Sequence, residues 1–162
     1  IGLMQEIGKE FARIFADAGI NKILTIEASG IAIASIAAQY FGNVPVVFAK
    51  KAKSKNLDGS LYTSVVHSYT YGKDFNVTLS QKFLGPQDNV LVIDDFLASG
   101  KAMKGLLDIC GQAGCKVAGI GICIEKGFQN GGRELREQGY KVASLAIVDH
   151  FNEDDTLTFR EQ

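Results

Sequence analysis

With 162 residues, 46% of them hydrophobic and 22% charged, the chain has the size and composition of one compact domain with a real core. Its 17 basic and 18 acidic side chains balance, which argues against a nucleic-acid binder working through a strong basic field. No apolar run approaches the roughly 20 residues that cross a bilayer, and nothing at the start resembles a signal peptide.

Residues 3 to 18 carry Leu3, Ile7, Phe11, Ile14 and Phe15 on one helical stripe, with Gly19 as the stop. Lys22 to Ile26 reads as a short strand, followed by Glu27-Ala28-Ser29-Gly30 and a second helix over residues 31 to 41, ended by Gly42. Val44 to Ala49 reads as a strand that tolerates Pro45 near its start. The polar, lysine-rich run from Lys50 to Ser60 reads as a mobile loop. Residues 61 to 70 and 74 to 84 form an expected hairpin turning at Tyr71-Gly72-Lys73. Val90-Leu91-Val92-Ile93 is a continuous apolar run, the mark of a strand buried on both faces. A helix from Lys101 to Ala113 and a strand from Val117 to Ile124 follow. A short helix near 131 to 138 and a strand at 141 to 148 complete the expected elements. Strands alternating with helices predict an α/β fold around a mainly parallel sheet covered on both faces.

Cys110, Cys115 and Cys123 form no Cys-x-x-Cys pair and lie far from His67 and His150, so they read as small apolar packing residues. Reduced thiols suit the cytoplasm. The chain starts at Ile1 rather than Met, and the expectation is a single domain over 1–162 that lacks an N-terminal segment.

In such sheets, ligands bind outside the carboxyl ends of the strands. Four segments follow expected strands: Glu27 to Gly30, Lys50-Lys51, Asp94 to Ala102, and Glu125-Lys126-Gly127-Phe128. The third is the most informative. Asp94 and Asp95 close an apolar strand, and Ala98-Ser99-Gly100-Lys101-Ala102 opens a helix whose free N–H groups and dipole suit a phosphate. Paired carboxylates suit the two hydroxyls of a ribose and favour a ring that turns cationic as its C1 bond breaks. Two other phosphate motifs are excluded. Asp95 stands where a P-loop needs Gly and Ala102 where it needs Ser or Thr, while Gly119-Ile120-Gly121 meets Ile124 in place of a third glycine.

The run from Val90 to Ala102 resembles the phosphoribosyl-pyrophosphate motif of type I phosphoribosyltransferases: four apolar residues, two acids, then an Ala-Thr-Gly type of loop. Here Ser99 replaces Thr, and Lys101 stands where the family often has glycine. Thr25 to Ile31, Pro45 to Lys51 and Glu125 to Gln129 extend the likeness along nearly the whole chain, toward the bacterial members that use xanthine. The resemblance implies the type I fold, with a flexible β-hairpin loop over 52 to 70 and a small hood. It implies that Ala98, Ser99, Gly100, Lys101 and Ala102 hold the 5′-phosphate, and that Asp94 and Asp95 hold the ribose as the catalytic acids. It places pyrophosphate on Ala28, Ser29 and Gly30, where a non-proline cis peptide is expected, and on Lys50 or Lys51. It places the base on Lys126, with Phe128 as a stacking candidate.

The reaction so implied joins the phosphoribosyl group of phosphoribosyl pyrophosphate, with Mg²⁺, to a purine, in a cytoplasmic homodimer. An ammonium at Lys126 is a donor only, so it favours a 6-oxopurine, xanthine first, over adenine. Guanine, hypoxanthine or adenine transfer, and a purine regulator that senses the sugar donor without chemistry, remain the alternatives.

Overall fold

The computed structural model describes residues 1–52, 60–68, 73–154 and 156–161. Its elements in chain order are α1 (Gly2–Ile14), β1 (Lys22–Ile26), α2 (Ser29–Ala38), β2 (Val46–Ala52), β3 (Leu61–Ser68), β4 (Lys73–Ser80), β5 (Asn89–Leu97), α3 (Lys101–Ala113), β6 (Lys116–Lys126), α4 (Gly131–Glu137), β7 (Val142–Phe151) and β8 (Leu157–Phe159). Short 3₁₀ turns at Gln39–Phe41 and Gln81–Phe83 follow α2 and β4.

The strands form one sheet in the order β3-β4-β2-β1-β5-β6-β7-β8. The centre, β2 through β7, is parallel, with antiparallel pairs at both margins. Alternate residues of each central strand serve opposite faces, as the period of two demands. Leu24, Ile26, Val90, Val92, Ile120 and Ile122 pack with α3 through Met103, Leu106 and Ile109. On the other face, Ile23, Leu91 and Ile93 meet Phe11 and Phe15 from the α1 segment and Ile33, Ala34 and Ala37 from α2. Each fully buried large side chain contributes about 1.5–3 kcal/mol of transfer free energy.

The Gly119-Ile120-Gly121 run serves packing. Positions 119 and 121 lie against the rings of Phe15 and Phe11, where a Cβ at Gly121 would stand 3.0 Å from Phe11 Cε1. Gly119 leaves room for Phe15 in the same way, so the two glycines seat the α1 segment on the sheet.

Several boundaries differ from the sequence reading. The first helix ends at Ile14 rather than near 18, and Leu3 is 76% exposed, off the buried stripe. α2 starts at Ser29, so Ser29 and Gly30 form its first turn rather than a preceding loop. β2 runs to Ala52, which places Lys50 and Lys51 in the strand. β5 runs to Leu97, so Asp94 and Asp95 belong to the strand itself. The hairpin strands β3 and β4 are present and paired over Leu61 to Ser68, while the expected turn at Tyr71-Gly72 lies outside the described residues. The loop expected over 50 to 60 falls mostly outside them, and within the expected mobile stretch residues 61–68 form β3. β8 carries no sequence signal of its own: three residues pair with the end of β7 and extend the sheet beyond it.

Candidate active site

Because β2, β1, β5 and β6 are parallel neighbours, all four segments read from the sequence reach the same edge of the sheet. Asp94 is 7% exposed, and its Oδ1 accepts the backbone N–H of Asp95 at 3.0 Å. Asp95 lies partly open and accepts the Phe96 N–H at 2.9 Å. Burial, reinforced by the charge of Asp95, pushes the Asp94 carboxyl from its ordinary 3.8 up to about 7, and the charge of Lys51 works in the opposite direction. A cation arriving beside Asp94 therefore meets a group poised to ionise.

The loop after β5 turns on Gly100, whose φ of 78° lies in the left-handed region that glycine adopts without a Cβ penalty. Gly100 precedes α3, and no side chain makes a capping hydrogen bond at that helix start, whose first-turn N–H groups lack intrahelical acceptors. Asp94 and the run from Phe96 to Met103 line a cavity of about 150 Å³ at this point. Ser99 is exposed at its rim, while Lys101 and Ala102 are half-buried.

Just after β1, the peptide between Glu27 and Ala28 is cis, the non-proline cis bond expected of this segment. Glu27 Oε1 accepts the backbone N–H of Lys51 at 2.5 Å, tying the end of β1 to the end of β2. The two lysines diverge because neighbouring strand residues face opposite ways. Lys51 places its ammonium 5.9 Å from the centre of the Phe75 ring and within electrostatic reach of Asp94. Lys50, opposite Thr78, lines a separate apolar groove with Val46, Phe48 and Phe83.

At the end of β6, Lys126 is half-buried beside Val148 of β7. Its neighbour Glu125 does not pair with it. Glu125 is 2% exposed and takes both Arg136 guanidinium nitrogens, at 2.9 and 2.7 Å, and the Ser144 hydroxyl at 2.5 Å. Burial alone would raise the Glu125 carboxyl, but Arg136 and Ser144 outweigh it and hold it below the usual range. Phe128 is 47% exposed and meets Phe151 edge to face, ring centres 5.6 Å apart.

Sequence reasoning missed the support beneath these groups. Gly131 of α4 donates its N–H to the Ala98 carbonyl at 3.1 Å, and Lys104 of α3 bonds Glu134 of α4 at 2.5 Å. A Cβ on Gly132 would overlap Glu125 Oε1, so the second glycine lets α4 sit on the buried carboxylate. Two glycines opening a helix, against helix propensity, were the available signal.

Residues 2–157 match the family described as the phosphoribosyl transferase domain. The chain belongs to the phosphoribosyltransferase family. It is 58% identical over 161 residues to the xanthine phosphoribosyltransferase of Bifidobacterium longum (strain NCC 2705), covering 99% of this chain and 83% of that relative. It is also 58% identical to the xanthine phosphoribosyltransferase of Lachnoclostridium phytofermentans, covering 99% and 82%. Among solved structures it superposes on the adenine phosphoribosyltransferase of Giardia lamblia in complex with 9-deazaadenine, with a TM-score of 0.79, 27% identity and coverage of 91% of this chain and 80% of that one. The enzyme from Thermoanaerobacter pseudethanolicus, at 22% identity and a TM-score of 0.77 over 89% of this chain and 79% of that one, shares the fold. The type I phosphoribosyltransferase fold expected from the motif is the fold observed.

Proposed function

We propose that this phosphoribosyltransferase transfers the 5-phosphoribosyl group of phosphoribosyl pyrophosphate to xanthine, giving xanthosine monophosphate and pyrophosphate in purine salvage. The observation that carries the reading is the acidic pair of buried Asp94 and half-buried Asp95, followed within a short loop by the Gly100-initiated helix α3 with no side-chain cap. A sugar bearing a 5′-phosphate and vicinal hydroxyls matches that order of donors and acceptors.

In this reading Ala98, Ser99, Gly100, Lys101 and Ala102 hold the 5′-phosphate on the N–H groups that open α3. Asp94 and Asp95 accept the ribose hydroxyls and stabilise the positive charge that builds on the ring as the C1–O bond to pyrophosphate breaks. The bonding pair leaves with pyrophosphate, and a ring nitrogen of the base attacks C1 and gives up its N–H proton to solvent. Ala28, Ser29 and Gly30 hold the leaving group. Of the two adjacent lysines, Lys51 is the better partner for it, because its charge already bears on Asp94 while Lys50 faces the groove beside Phe48. The protein supplies positioning and charge stabilisation, with no covalent intermediate required.

Mg²⁺ suits this donor set. Among the described residues no three His, Cys, Asp or Glu side chains converge to cage a metal. Mg²⁺ is commonly held by one or two carboxylates together with substrate phosphates, and Asp94 and Asp95 are the hard oxygen donors at hand. Bound with the sugar donor, it would neutralise the departing pyrophosphate.

Lys126 donates to the 6-oxo oxygen of the base, and Phe128 stands at the rim as a stacking surface. The names of the similar enzymes, xanthine phosphoribosyltransferases at 53–58% identity, support xanthine over the other 6-oxopurines. Assembly as a homodimer is supported by the open groove at Lys50, flanked by Phe48 and Phe83, which are 38% and 57% exposed. A cytoplasmic site of action is consistent with three free cysteines and with the absence, among the described residues, of a helix long and apolar enough to cross a membrane. The chain is read as one domain over 1–162.

Measuring pyrophosphate release from phosphoribosyl pyrophosphate and Mg²⁺ with xanthine, guanine, hypoxanthine or adenine tests the proposal. Fast release with xanthine supports it. Preference for adenine would overturn the base, and tight binding of the sugar donor with no release would point to a sensor.

A further inference from the structure

Thr25 lies one residue before the end of β1, wholly buried, and its Oγ1 has no hydrogen-bond partner among the described residues. A buried hydroxyl without a partner is costly, on the order of 1–3 kcal/mol, so its retention calls for a reason. Its surroundings supply one. A Cβ built on Gly30 would overlap Thr25 Oγ1 and would stand 3.3 Å from Asp94 Oδ1. The hydroxyl therefore fills the space a side chain at position 30 would take. It lies under the first turn of α2, between the cis-peptide segment and the buried carboxylate. Valine would fill the same volume with no orphan oxygen, and on packing grounds alone it would be the better residue.

We propose that Thr25 is a positioning residue for phosphoribosyl transfer: its hydroxyl is the donor that fixes the Asp94 carboxylate against the Glu27–Gly30 loop when the sugar donor binds. This inference rests on the phosphoribosyl-transfer reading above. Thr25 Oγ1 and Asp94 Oδ1 border the same space at Gly30, so on binding of the sugar donor the hydroxyl can donate to Asp94, whose Oδ1 also accepts the Asp95 N–H. Such a bond to an ionised carboxylate is charge-assisted. It matters most when the carboxylate is charged beside a cationic ring, so its loss should appear in turnover rather than in affinity for the base. Gly30 has a second role in this arrangement: it keeps the space between loop and hydroxyl clear.

The test uses the full chain and steady-state pyrophosphate release. Thr25→Val should fold with a midpoint temperature equal to or above wild type, yet lose roughly ten- to a hundredfold in kcat with the KM for the base unchanged. Thr25→Ser, which keeps the hydroxyl, should recover most of that loss. A second pair separates sterics from chemistry. Gly30→Ala should lose stability, and Thr25→Ala combined with Gly30→Ala should regain it, since the nearest remaining Thr25 atom is Cβ at 3.5 Å. The double variant should nevertheless stay slow. Wild-type turnover in Thr25→Val, or full recovery of turnover in the double variant, would overturn the role assigned to Thr25. Absence of pyrophosphate release in the wild type with any base would instead count against the transfer reading itself.

Discussion

The backbone N–H of Gly131 donates to the Ala98 carbonyl oxygen at 3.1 Å, and a Cβ on Gly131 would overlap that oxygen and stand 2.6 Å from the Gly100 nitrogen. The start of α4 thus rests directly on the loop that opens α3. Both obstructing atoms are backbone, so no rotamer change can relieve them. Gly131→Ala should displace the 98–100 loop and lower turnover roughly a hundredfold, the scale expected for about 1 Å of misplacement. Kinetics on a variant whose circular dichroism matches wild type would check this, and unchanged kcat/KM for the sugar donor would contradict it.

Arg136 and Glu125 join α4 to the end of β6, next to Lys126. Removing the guanidinium leaves a carboxylate that is 2% exposed, with the Ser144 hydroxyl as its remaining side-chain hydrogen-bond donor among the described residues. Arg136→Ala should cost about 3 kcal/mol or more, a fall of about 6 °C or more in melting temperature for a domain of this size. Arg136→Lys should recover only part of it, because a lysine offers no planar fork. Calorimetry on the three proteins decides, and equal melting temperatures would show the pair to be dispensable.

Asp94 couples stability to pH. Its carboxyl ionises near 3.8 when unperturbed and at about 7 in the folded protein. Folding therefore takes up a proton between these values. The stability contribution of the protonated group is full below the lower value and is lost as pH rises through the upper one. Asp94→Asn removes that loss, so its melting temperature should exceed wild type by about 3 °C or more near pH 8, with the gap closing near pH 4. The same variant should be nearly inactive. A gap of equal size at both pH values would contradict the assigned environment.

Lys126→Ala should separate the two substrates. The KM for a 6-oxopurine should rise at least about tenfold, the scale of a lost hydrogen bond to a charged donor. Binding of phosphoribosyl pyrophosphate, followed by titration calorimetry, should change little. Equal losses for base and sugar donor would remove Lys126 from the base site.

What the sequence made legible was local in the chain. The apolar run before Asp94 and the Ser99-Gly100 step before α3 lie within a dozen residues, so pattern and chemistry coincide there. The extension of β5 through Leu97 was hidden because two acids interrupt the apolar pattern that marks a buried strand. Lys50 and Lys51 looked like loop for the same reason. Once β2 is seen to reach Ala52, strand alternation sends one lysine toward Asp94 and the other toward the groove. The contacts of Glu125 with Arg136 and Ser144 span 11 and 19 positions, and that of Gly131 with Ala98 spans two elements. Partner choice at such separations is decided by the assembled sheet. Thr25 was invisible for a different reason: on β1 it reads as an ordinary strand residue until Gly30 is brought against it.

The most direct test of the central claim is Asp95→Asn, measured for turnover and for binding of phosphoribosyl pyrophosphate with Mg²⁺. The account expects a folded protein that still binds the sugar donor but turns over at least about a hundredfold more slowly, as for loss of one preorganised electrostatic stabiliser. Near-normal turnover in a folded Asp95→Asn protein would remove the acidic pair from the mechanism.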